Sequence, residues 1–346
     1  MSKISIILPV YNVDKYLRRC LDSLQPYINY GCELIIVNDG STDSSQNIID
    51  HYCHDNPCVI SVFQQNAGLS AARNTGLKYV NQEYVWFVDS DDYVENITDK
   101  LDKLLCTSPD IIILGRNEDY GSWRIHAPAN IEDARYMNGE EYLKISIRNG
   151  SFRTNVWDKI FKKDVIVDNN LRFVEGLLYE DMHFTVTTLM CSQSVVTARL
   201  YPYNYIHYNT GSITKTIRFK DLDVLQFIQL IDEYLVNKKS DFNNSSSEFH
   251  KLIFNWVSSC LLNKYAWRSL YNMDAKFIFS QTITHPIFQK SAEYCRTHNV
   301  GLRQKIFAAL LLNYPTLYRI VLPVALKIQY IKQWIQSRKV ICTTTI

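Results

Sequence analysis

Three carboxylates within four residues, Asp89-Ser90-Asp91-Asp92, follow directly on the apolar run Tyr84-Val85-Trp86-Phe87-Val88. A buried strand ending there delivers concentrated negative charge to a sheet edge. Carboxylates so close together repel unless a cation sits among them. Oxygen-rich donors suit hard divalent ions such as Mg²⁺ or Mn²⁺, which in turn hold phosphate oxygens. The same residues also suit a turn followed by a helix cap. A second acidic pair, Glu180-Asp181, opens an apolar helical run. There a carboxylate can accept a proton from a hydroxyl or complement the helix dipole.

Two further polar segments lie upstream. Asn38-Asp39-Gly40-Ser41-Thr42-Asp43 combines a tight turn with candidate caps, and Asp39 can accept a hydrogen bond from a nucleobase imide or a ribose hydroxyl. Asn66-Ala67-Gly68-Leu69-Ser70-Ala71-Ala72-Arg73-Asn74 opens a helix with small residues. A helix start can cradle an anion, with Arg73 as a permanent charge. Close packing against a sheet or an exposed arginine accounts for it as well.

The elements that must position these groups alternate. Residues 4–10, 33–38, 59–63 and 84–88 read as strands, and 14–28, 42–54 and 69–81 as helices. That order predicts an α/β fold with a mostly parallel sheet flanked by helices. Ligands of such sheets bind outside the carboxyl ends of the strands, where Tyr11-Asn12, Asn38-Asp39, Asn66 and Asp89–Asp91 all fall. A further strand is expected over 110–115. From about 220 the pattern becomes helical, and Asn243–Ser247 reads as a loop. The expected division is a catalytic domain over 1–217, with halves 1–115 and 116–217, and a helical region over 218–346.

Composition narrows the class. The chain has 346 residues, 47% hydrophobic content and a net charge of +2, ample for a large core and too little charge to argue for nucleic acid. Its nine cysteines form no CxxC pair, which favours reduced thiols in a cytoplasmic setting. The N-terminus begins as a strand, so no signal peptide is expected. No apolar run approaches the ~18–20 residues of a membrane span. After Glu293 there is no acidic residue, whereas Arg296, Arg303, Lys305, Arg319 and Lys327 are basic. Residues 302–339 alternate such charges with apolar stretches, Tyr330 and Trp334, a pattern suited either to an anionic membrane surface or to packing against protein.

The first strand turns at Pro9-Val10-Tyr11-Asn12 without a GxGxxG fingerprint, which excludes an ordinary dinucleotide-binding dehydrogenase. With Val37–Asp43, Asn66–Asn74 and Asp89–Asp92, in that order, this turn resembles the family 2 glycosyltransferases of the GT-A fold. The resemblance is firm over the first third and looser to about 215. It implies an inverting, metal-dependent transferase using Mn²⁺ or Mg²⁺ and a UDP-linked donor. The acceptor would be a hydroxyl of a growing, possibly lipid-linked, bacterial surface glycan.

By the same resemblance Asp181 is the general base, supported by Glu180. Pro9, Tyr11, Asn12 and Asp39 line the nucleobase, with Asn66, Gly68 and Arg73 against nucleotide or phosphate. Asp89 and Ser90 lie by the ribose, Asp91 binds metal, and Asp92 supports metal or sugar. Trp157, in Asn155-Val156-Trp157-Asp158-Lys159, suits either a sugar platform or the core. His207 stands where many relatives carry Arg and suits either a metal or diphosphate contact or a structural role. Ser212 and Thr214 suit phosphate binding or a loop. Two rivals remain on this sequence: a nucleotidyltransferase on a similar sheet, and a non-catalytic glycan-assembly subunit.

Overall fold

The computed structural model describes residues 3–122, 124–127, 136–208 and 217–328. Two compact units divide the chain, residues 1–210 and 211–346.

The first unit is built on one sheet. Its opening strands are β1 (Ile4–Val10), β2 (Glu33–Asn38), β3 (Ile60–Phe63) and β4 (Tyr84–Phe87), separated by α1 (Asp14–Tyr30), α2 (Ser45–Asp55) and α3 (Leu69–Leu77). All pairs among these strands are parallel, in the order β3-β2-β1-β4. β1 and β4 are buried along their whole length, as a parallel strand covered on both faces must be. α2 begins three residues later than periodicity suggested. Ser41 and Thr42 are tied instead to Asn12, and Asp43 to Asp14, so the chain cannot yet coil.

Beyond β4 the sheet becomes mixed. The short β5 (Tyr93–Val94) and α4 (Thr98–Leu105) lead to β6 (Ile111–Asp119), β7 (Arg124–Ala127), β8 (Tyr136–Met137) and α5 (Gly139–Asn149). Then come β9 (Lys159–Lys162), α6 (Lys163–Asp168), α7 (Glu180–Cys191) and β10 (Val195–Ile206). β9 inserts antiparallel between β4 and β6, while β10 runs parallel to β6. β9 offers only four residues with a lysine at each end, too little pattern to announce a central strand.

The second unit is helical. It comprises α8 (Asp223–Asn237), α9 (Ser247–Val257), α10 (Asn263–Tyr265), α11 (Met273–Thr284), α12 (Pro286–Thr297) and α13 (Leu302–Asn313). A further helix spans 315–328. Ser246 caps α9 by accepting from Phe249 N, ending the expected Asn243–Ser247 loop. No helix among the described residues is long and apolar enough to cross a membrane. Ser212, Thr214 and positions 329–339 of the basic C-terminal stretch lie outside the described residues.

Candidate active site

The site is assembled at the carboxyl ends of β1, β2 and β4. The β1 and β2 ends are stitched together. Asp39 N donates to Val10 O at 2.8 Å, and Thr42 N to Asn12 Oδ1 at 2.7 Å. Asn12 takes a positive φ of 51°, which its short polar side chain tolerates. Tyr11 beside it is 48% exposed, and Pro9 lies buried in β1 opposite Val37.

Asp39 is buried and acts as a bracket. Its Oδ1 accepts from Gln64 Nε2 (2.7 Å) and Ala67 N (2.9 Å), and its Oδ2 from Gly68 N (2.8 Å). Those bonds fold the Asn66–Gly68 loop over the β2 end. Gly40 has φ +71°, and a Cβ there would lie 2.8 Å from Asn66 N, so only glycine fits. Oδ2 retains acceptor capacity, since a carboxylate has about four lone-pair sites.

α3 approaches β1 closely because Gly76 has no side chain; a Cβ there would meet Ile7 Cγ2 at 2.5 Å. That approach sinks Arg73 into the protein, 1% exposed. Its Nη1 donates to Glu180 Oε1 (2.7 Å) and Asp181 Oδ1 (2.6 Å), and its Nη2 to Asp89 Oδ1 (2.9 Å). Below it Phe173 lies 5.2 Å from the guanidinium and stacks on Phe184 of α7 at 4.1 Å. Asn74 next door holds the preceding loop, exchanging bonds with the Phe173 backbone and donating to Glu175. One cation therefore joins the acidic turn after β4 to the start of α7. Arg73, expected against nucleotide or phosphate, here gives both its Nη groups to carboxylates inside the protein.

Charge in this cluster is unbalanced. Burial pushes the Asp181 carboxyl well above the usual carboxylate range; Arg73 opposes the shift, and Glu180 and Asp89 reinforce it. Asp181 thus holds its proton more tightly than a surface carboxylate. That suits a group taking a proton near neutral pH.

The acidic turn divides its labour. Asp92, expected beside metal or sugar, is 1% exposed; it accepts from Tyr203 Oη and Ile206 N at 2.8 Å each and so ties the turn to β10. Ser90 is also buried. Asp89 and Asp91 stay partly exposed. Arg19 of α1 donates to the Asp91 carbonyl at 2.8 Å and to Tyr208 Oη at 3.0 Å.

The turn's electrostatics fit a hard dication. Burial first, then Asp91 and Asp89, raise the proton affinity of Asp92. Burial, then Asp92 and Asp89, raise Tyr203, and burial, then Asp92, Asp91 and Asp89, raise Tyr205. No group of three or more His, Cys, Asp or Glu that could hold a metal occurs among the described residues. Asp91, with Asp89 beside it, would supply one or two carboxylates, enough for an ion that keeps water and substrate phosphate oxygens as its other ligands.

His207 and Trp157 are drawn elsewhere. His207 Nε2 meets Glu118 Oε2 at 2.5 Å, and its ring stacks on Tyr120 at 4.1 Å, so its ring is committed to Glu118 and Tyr120. Trp157 is 3% exposed, stacked on Tyr203 at 4.1 Å with Arg116 5.1 Å above it. It is core and offers no face to a sugar. The Arg116–Glu118–His207 network and the buried Lys159, bonded to Asp158 and to the Arg153 and Asn155 carbonyls, were not foreseen. Alternation along β6 was the one available signal.

Comparison with known proteins agrees with this geometry. Residues 5–161 match the family model "Glycosyl transferase family 2". Over those residues the chain is similar to the family 2 glycosyltransferases. Over 216 residues it is 30% identical to the uncharacterized glycosyltransferase YibD of Escherichia coli, covering 61% of this chain and 63% of that protein. Over 285 residues it is 26% identical to the poly(ribitol-phosphate) beta-glucosyltransferase of Bacillus spizizenii, covering 71% of this chain and 41% of the relative. The chain thus spans less than two thirds of the length of either. The crystal structure of S. aureus TarS 1-349 in complex with UDP-GlcNAc superposes with a TM-score of 0.67 at 20% identity, covering 96% of this chain and 92% of that one. The fold of this chain is thus GT-A.

Proposed function

We propose that this chain transfers a sugar from a nucleotide diphosphate donor to an acceptor hydroxyl by a single displacement that inverts the anomeric centre. The observation that carries the reading is Arg73. One buried guanidinium binds Asp89 of the turn after β4 and both Glu180 and Asp181 of α7. Donor-side and acceptor-side carboxylates are thereby held in one rigid frame, as a direct displacement requires.

Asp181 takes the acceptor's proton as its oxygen attacks. Burial, with the like charge of Glu180 beside it, keeps that carboxyl proton-hungry. Asp39 keeps an acceptor lone pair for the nucleobase while its other bonds hold the 66–68 loop. The exposed Tyr11 ring offers the base an apolar face. Mn²⁺ or Mg²⁺, held by Asp91 with Asp89 beside it, would offset charge on the departing diphosphate.

A UDP-linked donor is favoured because the TarS structure of this fold was solved with UDP-GlcNAc. A surface-glycan acceptor is favoured by the named activity of the Bacillus spizizenii relative. The remaining partner is an anionic membrane surface met through 302–339, with the enzyme on its cytoplasmic side.

The test is a panel of nucleotide sugars, scored by metal-dependent protection against thermal unfolding and then by release of nucleoside diphosphate. One donor should protect with Mn²⁺ or Mg²⁺, and Asp91→Ala should weaken that protection at least tenfold. Protection by none of the donors with either ion would overturn the reading.

A further inference from the structure

Helix α11 presents two unlike faces. Ala275, Ile278, Phe279 and Thr282 are buried. On the outer side Met273 is 77% exposed and Phe277, one turn on, 50%. The corner leading into the helix is equally bare, with Tyr271 at 70%, Trp267 at 47% and Leu270 at 40%. Phe219, itself 53% exposed, packs edge-on against Phe277 at 5.8 Å and widens the patch. Five large apolar side chains within eleven residues, all in water, are more than scattered surface hydrophobes.

The charges around the patch say what could cover it. Between Arg268 and Ala292 the chain has a single acidic residue, Asp274, against Arg268, Lys276 and Lys290. Arg319 of helix 315–328 lies 4.5 Å above the Phe279 ring, which brings that helix beside α11. It too bares apolar residues at helical spacing, Leu317, Ile320, Val324 and Ile328. From Arg296 onward every charged residue is basic. Trp and Tyr beside apolar tips within a basic field match the headgroup zone of an anionic bilayer.

We propose that Trp267, Leu270, Tyr271, Met273 and Phe277 form a second contact with an anionic lipid bilayer, beside the C-terminal helices. The inference rests on the membrane-surface reading of 302–339 and extends it. Apolar tips enter the acyl boundary, and Arg268 and Lys276 lie at headgroup level. The enzyme is then held at two places on its helical unit, which limits its rotation on the membrane.

Full-length protein is pelleted with vesicles of phosphatidylglycerol and phosphatidylcholine, and with phosphatidylcholine alone. Wild type should bind the anionic vesicles, less at high salt. The triple variant Tyr271→Ser, Met273→Ser, Phe277→Ser should bind roughly tenfold or more weakly, with unchanged melting, because exposed side chains are replaced. Brominated lipid should quench tryptophan emission, and Trp267→Phe should remove part of that quenching. Triple-variant binding equal to wild type overturns the second contact while leaving 302–339 standing. No binding of wild type to anionic vesicles sinks both. Light scattering that finds a wild-type dimer lost in the triple variant assigns the patch to a second copy and also overturns the proposal.

Discussion

Each unit of this protein buries a carboxylate network, and the two are opposite in balance. In the sheet unit one arginine serves three acids: Arg73 meets Asp89, Glu180 and Asp181. In the helical unit one acid is served by three donors. Asp221 is fully buried and bonded to Arg218 at 2.9 Å, to Lys264 and to Tyr265. Surplus donors leave Asp221 nothing to do but hold α10 to the turn at Phe219–Leu222. Surplus acids leave the Arg73 cluster short of positive charge and ready to receive a proton. Burial alone therefore does not tell the two networks apart; the sign of the imbalance does.

The sharpest way to break this contrast is to remove the hub of each network. Arg73→Met and Asp221→Ala should each destabilise by ~3–5 kcal/mol, as expected when a buried ion loses its partner. Only Arg73→Met should also abolish transfer in whatever protein remains folded. Denaturant melts and single-turnover assays check both, and equal activity loss in the two variants would erase the distinction.

Asp181→Asn keeps the shape and removes the proposed base. It should lower kcat by ~10²–10⁴-fold with donor affinity, measured by calorimetry, kept within a few-fold. A variant with normal turnover would remove Asp181 from the chemistry.

A milder change sharpens the electrostatics. Burial, with Glu180 and Asp89, raises the Asp181 carboxyl to about 7. A base with a raised pKa is lost as pH falls through it, so the rate should drop on the acid side of neutrality. Glu180→Gln removes a like charge and should shift that limb to lower pH. A limb that stays put, or moves up, contradicts the assignment.

The smallest effect concerns Glu118. Burial would raise its carboxyl, but the hydrogen bond with His207 and the charge of Arg116 hold it at about 2. A lowered folded-state pKa gives stability that is present above the ordinary glutamate value and lost as pH falls toward 2. Acid titration of the melting temperature should therefore show less loss in Glu118→Gln than in wild type.

The parallel strands 4–10, 33–38 and 84–88 were legible because a strand covered on both faces must be apolar throughout, and no tertiary accident alters that requirement. The places of the acidic turn, Asp39 and the Glu180-Asp181 pair were legible too, because chain order fixes which strand each follows or which helix it opens. β9 escaped because four residues flanked by lysines carry no period. Lys159, which opens that strand, lies 1% exposed with its charge met by Asp158 and two carbonyls.

Local chemistry set which residues could hold charge, and chain order set which strand each one would follow. Partnership was another matter. Arg73 and Asp181 lie 108 positions apart, and no local rule favours their meeting. Only the close approach of α3 to β1, allowed at Gly76, and the aromatic stack under Arg73 bring that guanidinium to three acids. The same packing turned Asp92 and Trp157 inward, because a side chain's task depends on which of its neighbours excludes water.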